Sequence, residues 1–454
     1  MQDLTTGSLT RHLLTSASYT LVGMVFQTLY ILIDLYWVGR LGTTAVAAVG
    51  VSGNVMFLVL AGSQMLGVGT TTLVSHATGQ QDRARAQIVF NQAQALSMLV
   101  GVTFMTGALA LRERYAVALG ADPRTAALAS GFLLWFVPAM AMQFGLVVMT
   151  SGLRGTGNFR TGMVIQTASV LVNLALAPAL MFGWLGLPAL GVPGAALSSF
   201  FASSLGVVWM AWHFIRPDAY LRLTPATWRP QWPVWREIVG IGLPAGAEFA
   251  LLAAYLMLVY TVIRPFGAAA QAGFGIGTRV LQACFLPAIA LGFAAGPVAG
   301  QNVGARQGDR VRRTFTVAAA LAAGGMSVFA AAIWIAGARI VGVFTTDADV
   351  VRIGEEYLHI VAYSFVASGI TFVASSLFQA MGNTVPSLVS SIMRLALVAL
   401  PVLALSGRPG FSLRWIWYIS AASVGVQLVV SLLLLRREFR VRLAFDDTRP
   451  ARPG

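Results

Sequence analysis

Two carboxylates stand out because of what surrounds them. Asp34 is the only acid in an apolar run that begins at Leu13 and closes in ILIDLYWVGRLG. A charge at the centre of a membrane helix costs about 2.5–3.5 kcal/mol on insertion scales, so such a residue is a functional candidate by default. An acid in that position can take up and release a proton or hold a metal cation. Glu248 is the second, eleven residues past Glu237 in EIVGIGLPAGAEF. Pro244, four residues earlier, frees backbone carbonyls and can bend its helix toward a central cavity. Glu248 can attract a cationic substrate or act as a second proton site; it can equally be a carboxylate satisfied by Arg279, Arg394 or a neighbouring helix.

Other chemistry-bearing residues point elsewhere. His12, His76, His213 and His359 are scattered near expected helix ends, which predicts no metal site. Cys284 is the only cysteine, so no intramolecular disulfide is possible. The glycines of SGLRGTGN and FQAMGN lack the following Lys-Ser/Thr of a phosphate loop. Asp82 and Asp309 with their Arg neighbours read as solvated loop clusters, and Glu355 and Glu356 are expected at the outer mouth of the tenth helix. Met24, Tyr36, Trp37, Met140, Met142 and Phe144 read as helix packing or interface belt.

The elements that must hold these residues follow from composition. Of 454 residues, 57% are hydrophobic and 10% charged, far from the roughly 25% charged of a soluble domain. Apolar stretches long enough to span about 30 Å of hydrocarbon number twelve, near 13–38, 44–74, 88–111, 127–151, 162–184, 191–214, 238–263, 275–298, 315–344, 357–380, 386–406 and 414–435. The expected fold is an all-α polytopic membrane protein. The first run is too long, and too poor in a cleavage site, for a removable signal peptide. All 30 basic residues are Arg. With both termini inside, nineteen arginines, Arg449 and Arg452 among them, fall on the inner segments against nine outside, which predicts cytoplasmic termini. The net charge of +14 is then a topology signal, and no nucleic-acid partner is expected.

The chain also repeats itself. At an offset of 225 residues, Gly42 and Gly50 fall on Gly267 and Gly275, Gly79 on Gly304, and Ser151, Gly157 and Asn158 on Ser376, Gly382 and Asn383. Two pseudo-symmetric six-helix bundles are predicted, an amino-terminal lobe over 1–220 and a carboxy-terminal lobe with a short basic tail over 237–454, joined by a cytoplasmic linker over 221–236. Six is an even number, so both halves enter the membrane in the same direction. Asp34 has Val259 as its counterpart, and Glu248 lies over Gly23.

DLYWVGRLG, VSHATGQQDRARA, SGLRGTGNFRTG, VNLALAP and GVPGAALSSF in the first half, with GLPAGAE, FGIGTRV, GPVAGQNVGARQGDR, FQAMGNT and LRWIWYISAAS in the second, occur in the order found in multidrug and toxic compound extrusion (MATE) transporters. The chain resembles that family over nearly its whole length. The resemblance implies a secondary antiporter of the inner membrane that exports amphipathic, often cationic organic molecules by alternating access against protons or sodium. In bacterial members with an aspartate on the first helix, that residue couples to the cation, and Asp34 matches it. Asn173 matches the fifth-helix amide and Ser199 the sixth-helix hydroxyl, completing the implied cation-coupling set. Gln27 and Tyr30 match polar first-helix positions of the same lobe and, with Glu248, form the expected substrate-binding set.

Two departures matter. Where many relatives carry a second fifth-helix carboxylate, this chain has Ala177, and the tenth-helix segment VAYSFVASGITFVASSLF holds no acid. Sodium wants several oxygen ligands, whereas proton coupling needs one carboxylate, so proton coupling is the expectation and sodium coupling the alternative. A lipid-linked precursor flippase would need many cavity cations, and Arg279 and Arg394 are the only candidates. A membrane transferase acting on polyprenyl phosphate would need clustered carboxylates for a metal, and no Asp-rich loop is present. The expected protein is therefore a monomer in the lipid bilayer, without enzymatic activity, metal or cofactor beyond the transported ion.

Overall fold

The computed structural model describes residues 2–120, 122–406, 408 and 410–445; Arg449 and Arg452 lie outside them. Helices and their connections make up the described residues. In chain order they are α1 Leu9–Gly39, α2 Thr43–Gly53, α3 Val55–Gly79, α4 Arg83–Leu119, α5 Pro123–Gly155, α6 Phe159–Phe182, α7 Val192–Ile215, α8 Trp232–Ile263, α9 Ala268–Gly304, α10 Gly308–Gly342, α11 Ala348–Ala362, α12 Phe365–Ala380, α13 Val385–Ser406 and α14 Leu413–Arg442. Long apolar segments take this form because hydrocarbon offers no partner for backbone polar groups, which a helix satisfies internally. Among the described residues eleven stretches are long and apolar enough to cross a bilayer, α2 and α3 counting together over Thr43–Gly79. A twelfth is the pair α11 and α12, bent by 57°.

That pair corrects the sequence reading. The tenth span is not one run over 357–380: its helix begins at Ala348 and breaks at Tyr363 and Ser364. Ser364 turns back on Val361 with both its backbone N–H and its hydroxyl, at 2.9 and 2.7 Å, which tightens the last turn of α11. Glu355 and Glu356 therefore lie within a helix rather than beyond its mouth. Val350, Ile353, Tyr357, Leu358 and Ile360 of α11 are buried, while Arg352 pairs with Asp349 and Glu356 with Arg414. A helix with charges on one face fails a test for uniform apolarity although its other face is core.

Two compact units emerge, Met1–Asp3 with Ser18–Gly246 and Leu4–Ala17 with Ala247–Gly454. In the first, α5 packs against α3, α4 and α7 around Phe90, Phe132, Phe136, Phe144 and Met149. In the second, α9 packs against α10, α11 and α12, and Phe274 stacks on Trp417 with centroids 5.5 Å apart.

The 225-residue offset is written into the backbone. Positive φ occurs at Gly42 and Gly267 (108° and 89°), at Gly157 and Gly382 (79° and 72°), and at Gln81 and Arg306 (58° and 57°). The last pair is notable because neither residue is glycine. Each closes its helix in the same way: Gln81 N–H donates to Thr78 and Arg306 N–H to Val303 at 3.0 Å, then Asp82 donates to Ala77 at 2.9 Å and Gln307 to Asn302 at 2.8 Å. Left-handed closures of this kind satisfy the last helical carbonyls.

Asp82 and its neighbours are more than a solvated cluster. The Asp82 carboxylate accepts from Arg85 N–H at 2.8 Å as the cap of α4. Arg83 donates to the Tyr220 and Ala219 carbonyls at 3.0 and 2.9 Å. Buried Asn91 and Gln92 hold the linker, accepting from Thr224 N–H at 2.8 Å and Gln231 N–H at 2.9 Å. In the second unit Asp309 pairs with Arg312 at 3.4 Å with both largely exposed, but half-buried Arg310 donates to Asn302 Oδ1 at 3.0 Å and to the Gly7 and Leu4 carbonyls at 3.3 and 3.4 Å, so this cluster too is more than solvated charge. Asp122 caps α5, and the Thr125 hydroxyl together with the Thr125 and Arg124 amides holds its carboxyl below the ordinary range.

Arg85 also pairs with Glu237 at 2.5 Å, both side chains over a third exposed. Exposed pairs contribute about 0–1 kcal/mol. Glu237→Gln should therefore shift the thermal midpoint of the purified protein by no more than about 4 °C, measured by a thermal scan in detergent, and a larger drop would show the pair to be structural.

Candidate functional site

In the first unit the site is assembled from three spans. α1 carries Tyr30 and, one turn on, Asp34; the fifth span is α6, with Asn173, and the sixth is α7, with Ser198 and Ser199. Residues four apart are neighbours on a helix surface. The Tyr30 and Ser199 hydroxyls share a hydrogen bond of 3.0 Å. The Asn173 amide donates to Ser199 Oγ at 3.2 Å and to Ser198 Oγ at 3.5 Å. Both serines anchor back on the Ala195 carbonyl. Three helices are thus tied by one chain of polar side chains inside an apolar bundle.

Two acceptors in this set have no donor. Asp34 Oδ1 and Asn173 Oδ1 are buried and without a hydrogen-bond partner. Among the described residues no arginine forms an ion pair with Asp34. A buried carboxylate oxygen without a donor is costly, and a proton or a cation beside it removes that cost. The structure therefore brings together Tyr30, Asn173 and Ser199, with Asp34 adjoining on α1. It does not join Gln27 to them: that residue lies on the same stripe of α1 but is exposed. Ala177 is buried on α6, so apolar packing occupies the position of the missing second acid. Ser198 was not singled out from sequence; the adjacent serine pair in GAALSSF was its signal.

In the second unit Glu248 sits at the middle of α8, which stays one helix through Pro244. Its Oε2 accepts from Ser375 Oγ at 3.4 Å, and Ser375 shares a 2.6 Å hydrogen bond with Ser387, while Oε1 is buried without a partner. Neither Arg279 nor Arg394 forms an ion pair with it among the described residues. Of the partners considered above for this carboxylate, a neighbouring helix supplies the hydrogen bond that is present, and it reaches one oxygen of the two. Ser375 comes from the segment that holds no acid, so α12 contributes a hydroxyl instead. Arg279 is exposed. Arg394 lies over the Tyr255 ring, 5.2 Å from its centroid, with Nε buried and unpaired, and the Tyr255 hydroxyl donates to Ser420 at 3.2 Å.

Two repeated sets of six spans, with polar side chains and acids buried within apolar helices, define a multi-pass membrane transporter. The chain belongs to the MatE family, whose model matches residues 20–179 and 244–405. It is 25% identical to multidrug export protein MepA of Staphylococcus aureus (strain MSSA476) over 437 residues, covering 94% of this chain and 93% of that protein. It is 26% identical to the probable multidrug resistance protein YpnP of Bacillus subtilis (strain 168), with 89% of each covered. A crystal structure of a MATE transporter in a bent conformation superposes with a TM-score of 0.90 at 22% identity, covering 97% of both chains. An outward-facing MATE family transporter superposes at 0.89, also at 22% identity, over 97% of this chain and 98% of that one.

Proposed function

We propose that this transporter exports amphipathic, often cationic organic compounds in exchange for protons by alternating access. Its setting is the inner membrane, with both termini in the cytoplasm, where it works as a monomer. The observation that carries the reading is the Asp34 carboxylate, with one oxygen buried and unpartnered beside the Tyr30–Ser199–Asn173 chain. The names of the relatives, a multidrug export protein and a probable multidrug resistance protein, support the substrate class.

The geometry suggests how the ion does work. While Asp34 is ionised, its burial is costly, which favours hydration or a cationic guest in a pocket that would open beside it. Protonation from the outer side removes the charge, so α1 can repack against α6 and α7, closing the pocket and expelling the guest. Loss of the proton to the cytoplasm restores the starting state. Asp34 is the group that carries the proton; Tyr30, one turn before it on α1, joins Ser199 and Asn173 in the hydrogen-bonded chain alongside. Glu248, held by Ser375 and Ser387, offers a cationic group a second anchor.

One observation favours sodium instead. Asn173 Oδ1 is unpartnered as well, so two oxygens await a donor or a cation. Vesicles reconstituted with purified protein decide the matter when ethidium transport is followed under a proton gradient and a sodium gradient imposed separately. Transport is expected to follow the proton gradient and to ignore sodium. The converse result replaces the proton by sodium, and transport under neither gradient overturns the export reading itself.

A further inference from the structure

The repeat places two tyrosines in register and sets opposite charges beside them. Tyr30 and Tyr255 are 225 residues apart, and each bonds to a serine on the last helix of its own unit, Ser199 at 3.0 Å and Ser420 at 3.2 Å. Beside Tyr30 the charge is Asp34. Its counterpart in the second half is Val259, and the charge beside Tyr255 is Arg394. The position equivalent to Arg394 in the first half is Ser169, neutral and bonded to the Ile165 carbonyl. The tyrosine is thus used twice with the sign of the neighbouring charge inverted, while its serine partner shifts by about one turn, since Ser420 falls on Ala195 and Ser199 on Val424.

Arg394 is poorly provided for. It lies about 13 Å along α13 from the first residue, well inside the span. Its Nε is buried with no acceptor, and no carboxylate pairs with it among the described residues. A half-buried guanidinium within a membrane span, with one donor unmet, favours an anion beside it, and a planar fork of donors fits a carboxylate in particular. Along the same two helices lies the opposite charge. Glu248 and Tyr255 are seven residues apart on α8, as are Ser387 and Arg394 on α13, so both helices set the two groups about 10 Å apart along their axes.

We propose that the second unit binds zwitterionic amphipaths end to end. Arg394, stacked on Tyr255, takes the carboxylate of the substrate. Glu248, with Ser375 and Ser387, takes its ammonium. This deepens the export reading above and rests on it for the substrate class, but the recognition of a carboxylate is separable from transport.

The test compares norfloxacin, which carries a carboxylate and a piperazinium at opposite ends, with its methyl ester and with ethidium, which carry positive charge only. Wild-type protein, Arg394→Gln and Arg394→Lys are reconstituted together with binding assays in detergent by ligand fluorescence. Arg394→Gln is expected to weaken norfloxacin binding and raise its KM by about tenfold or more, the scale of one charge-assisted hydrogen bond. Ester and ethidium should change by less than about twofold, and Arg394→Lys should retain part of the preference for the acid. Equal loss for acid and ester would make Arg394 a packing residue and overturn the proposal, as would wild-type protein that binds acid and ester alike. If wild-type protein transports none of the three, the export reading fails, while acid-over-ester binding lost in Arg394→Gln still supports the anion site.

Discussion

Asp34→Asn is expected to reduce ion-driven export to the level of protein-free vesicles while the purified protein stays folded. The substitution keeps the size and shape of the side chain and removes the one thing the mechanism needs, a charge that can be neutralised and restored. An amide resembles the protonated acid, so the site should rest permanently in its neutral arrangement. Tyr30, Ser199 and Asn173 retain their hydrogen bonds to one another, which is why no large loss of stability is expected. A normal gel-filtration profile and thermal midpoint, together with absent ethidium transport under either gradient, are the results to look for. Undiminished transport by a folded Asp34→Asn protein would remove Asp34 from the coupling step.

The second large effect is structural. Gly69 and Gly242 mark a place in the first unit where the backbones of α3 and α8 meet. A Cβ on Gly242 would stand 1.8 Å from the Met65 carbonyl oxygen, and one on Gly69 would stand 2.3 Å from that of Ile238. No side-chain rotation relieves contact with backbone, so the helices must separate, and small residues are what permit such approach. Gly242→Val is expected to destabilise by on the order of 3 kcal/mol or more, seen as loss of monodisperse protein and a lowered thermal midpoint. Gly240 supplies the control on the same helix, since a Cβ there meets nothing within 4 Å. Gly240→Ala should be neutral or slightly stabilising. Equal behaviour of the two variants would mean that α3 and α8 do not touch as described.

How much of this was legible beforehand depended on what each signal measures. Apolar run length located eleven spans because hydrocarbon selects for it directly. It misjudged α11, where Asp349, Arg352, Glu355 and Glu356 dilute the run although the opposite face is core. The duplication was readable from glycines because positive φ at Gly42, Gly157, Gly267 and Gly382 restricts residue choice. The matching conformation at Gln81 and Arg306 left no such mark, since those side chains differ.

The resemblance pointed to Tyr30, Asn173 and Ser199, and those three do meet. Gln27 stands apart from them. The serines around Glu248 come from α12 and α13, and nothing in the spacing of Ser375 and Ser387 along the chain announces that they share a partner. Arg394 was legible as a scarce cation and as a possible partner of Glu248, with which it forms no ion pair among the described residues. Its meaning depends on Tyr255, which reaches it from α8 and is itself bonded to Ser420 of α14.

Two of the three crossings between the units fall inside helices. Residues up to Gly246 belong to one unit and those from Ala247 to the other, two positions after Pro244, whose missing N–H leaves the turn before it short of one hydrogen bond. The other crossings come between Asp3 and Leu4 and within α1 after Ala17. The segment between the halves, by contrast, is fastened by Asn91, Gln92 and Arg83. At the two crossings inside helices a single continuous helix therefore belongs to both units, so one rod contributes side chains to two separate cores.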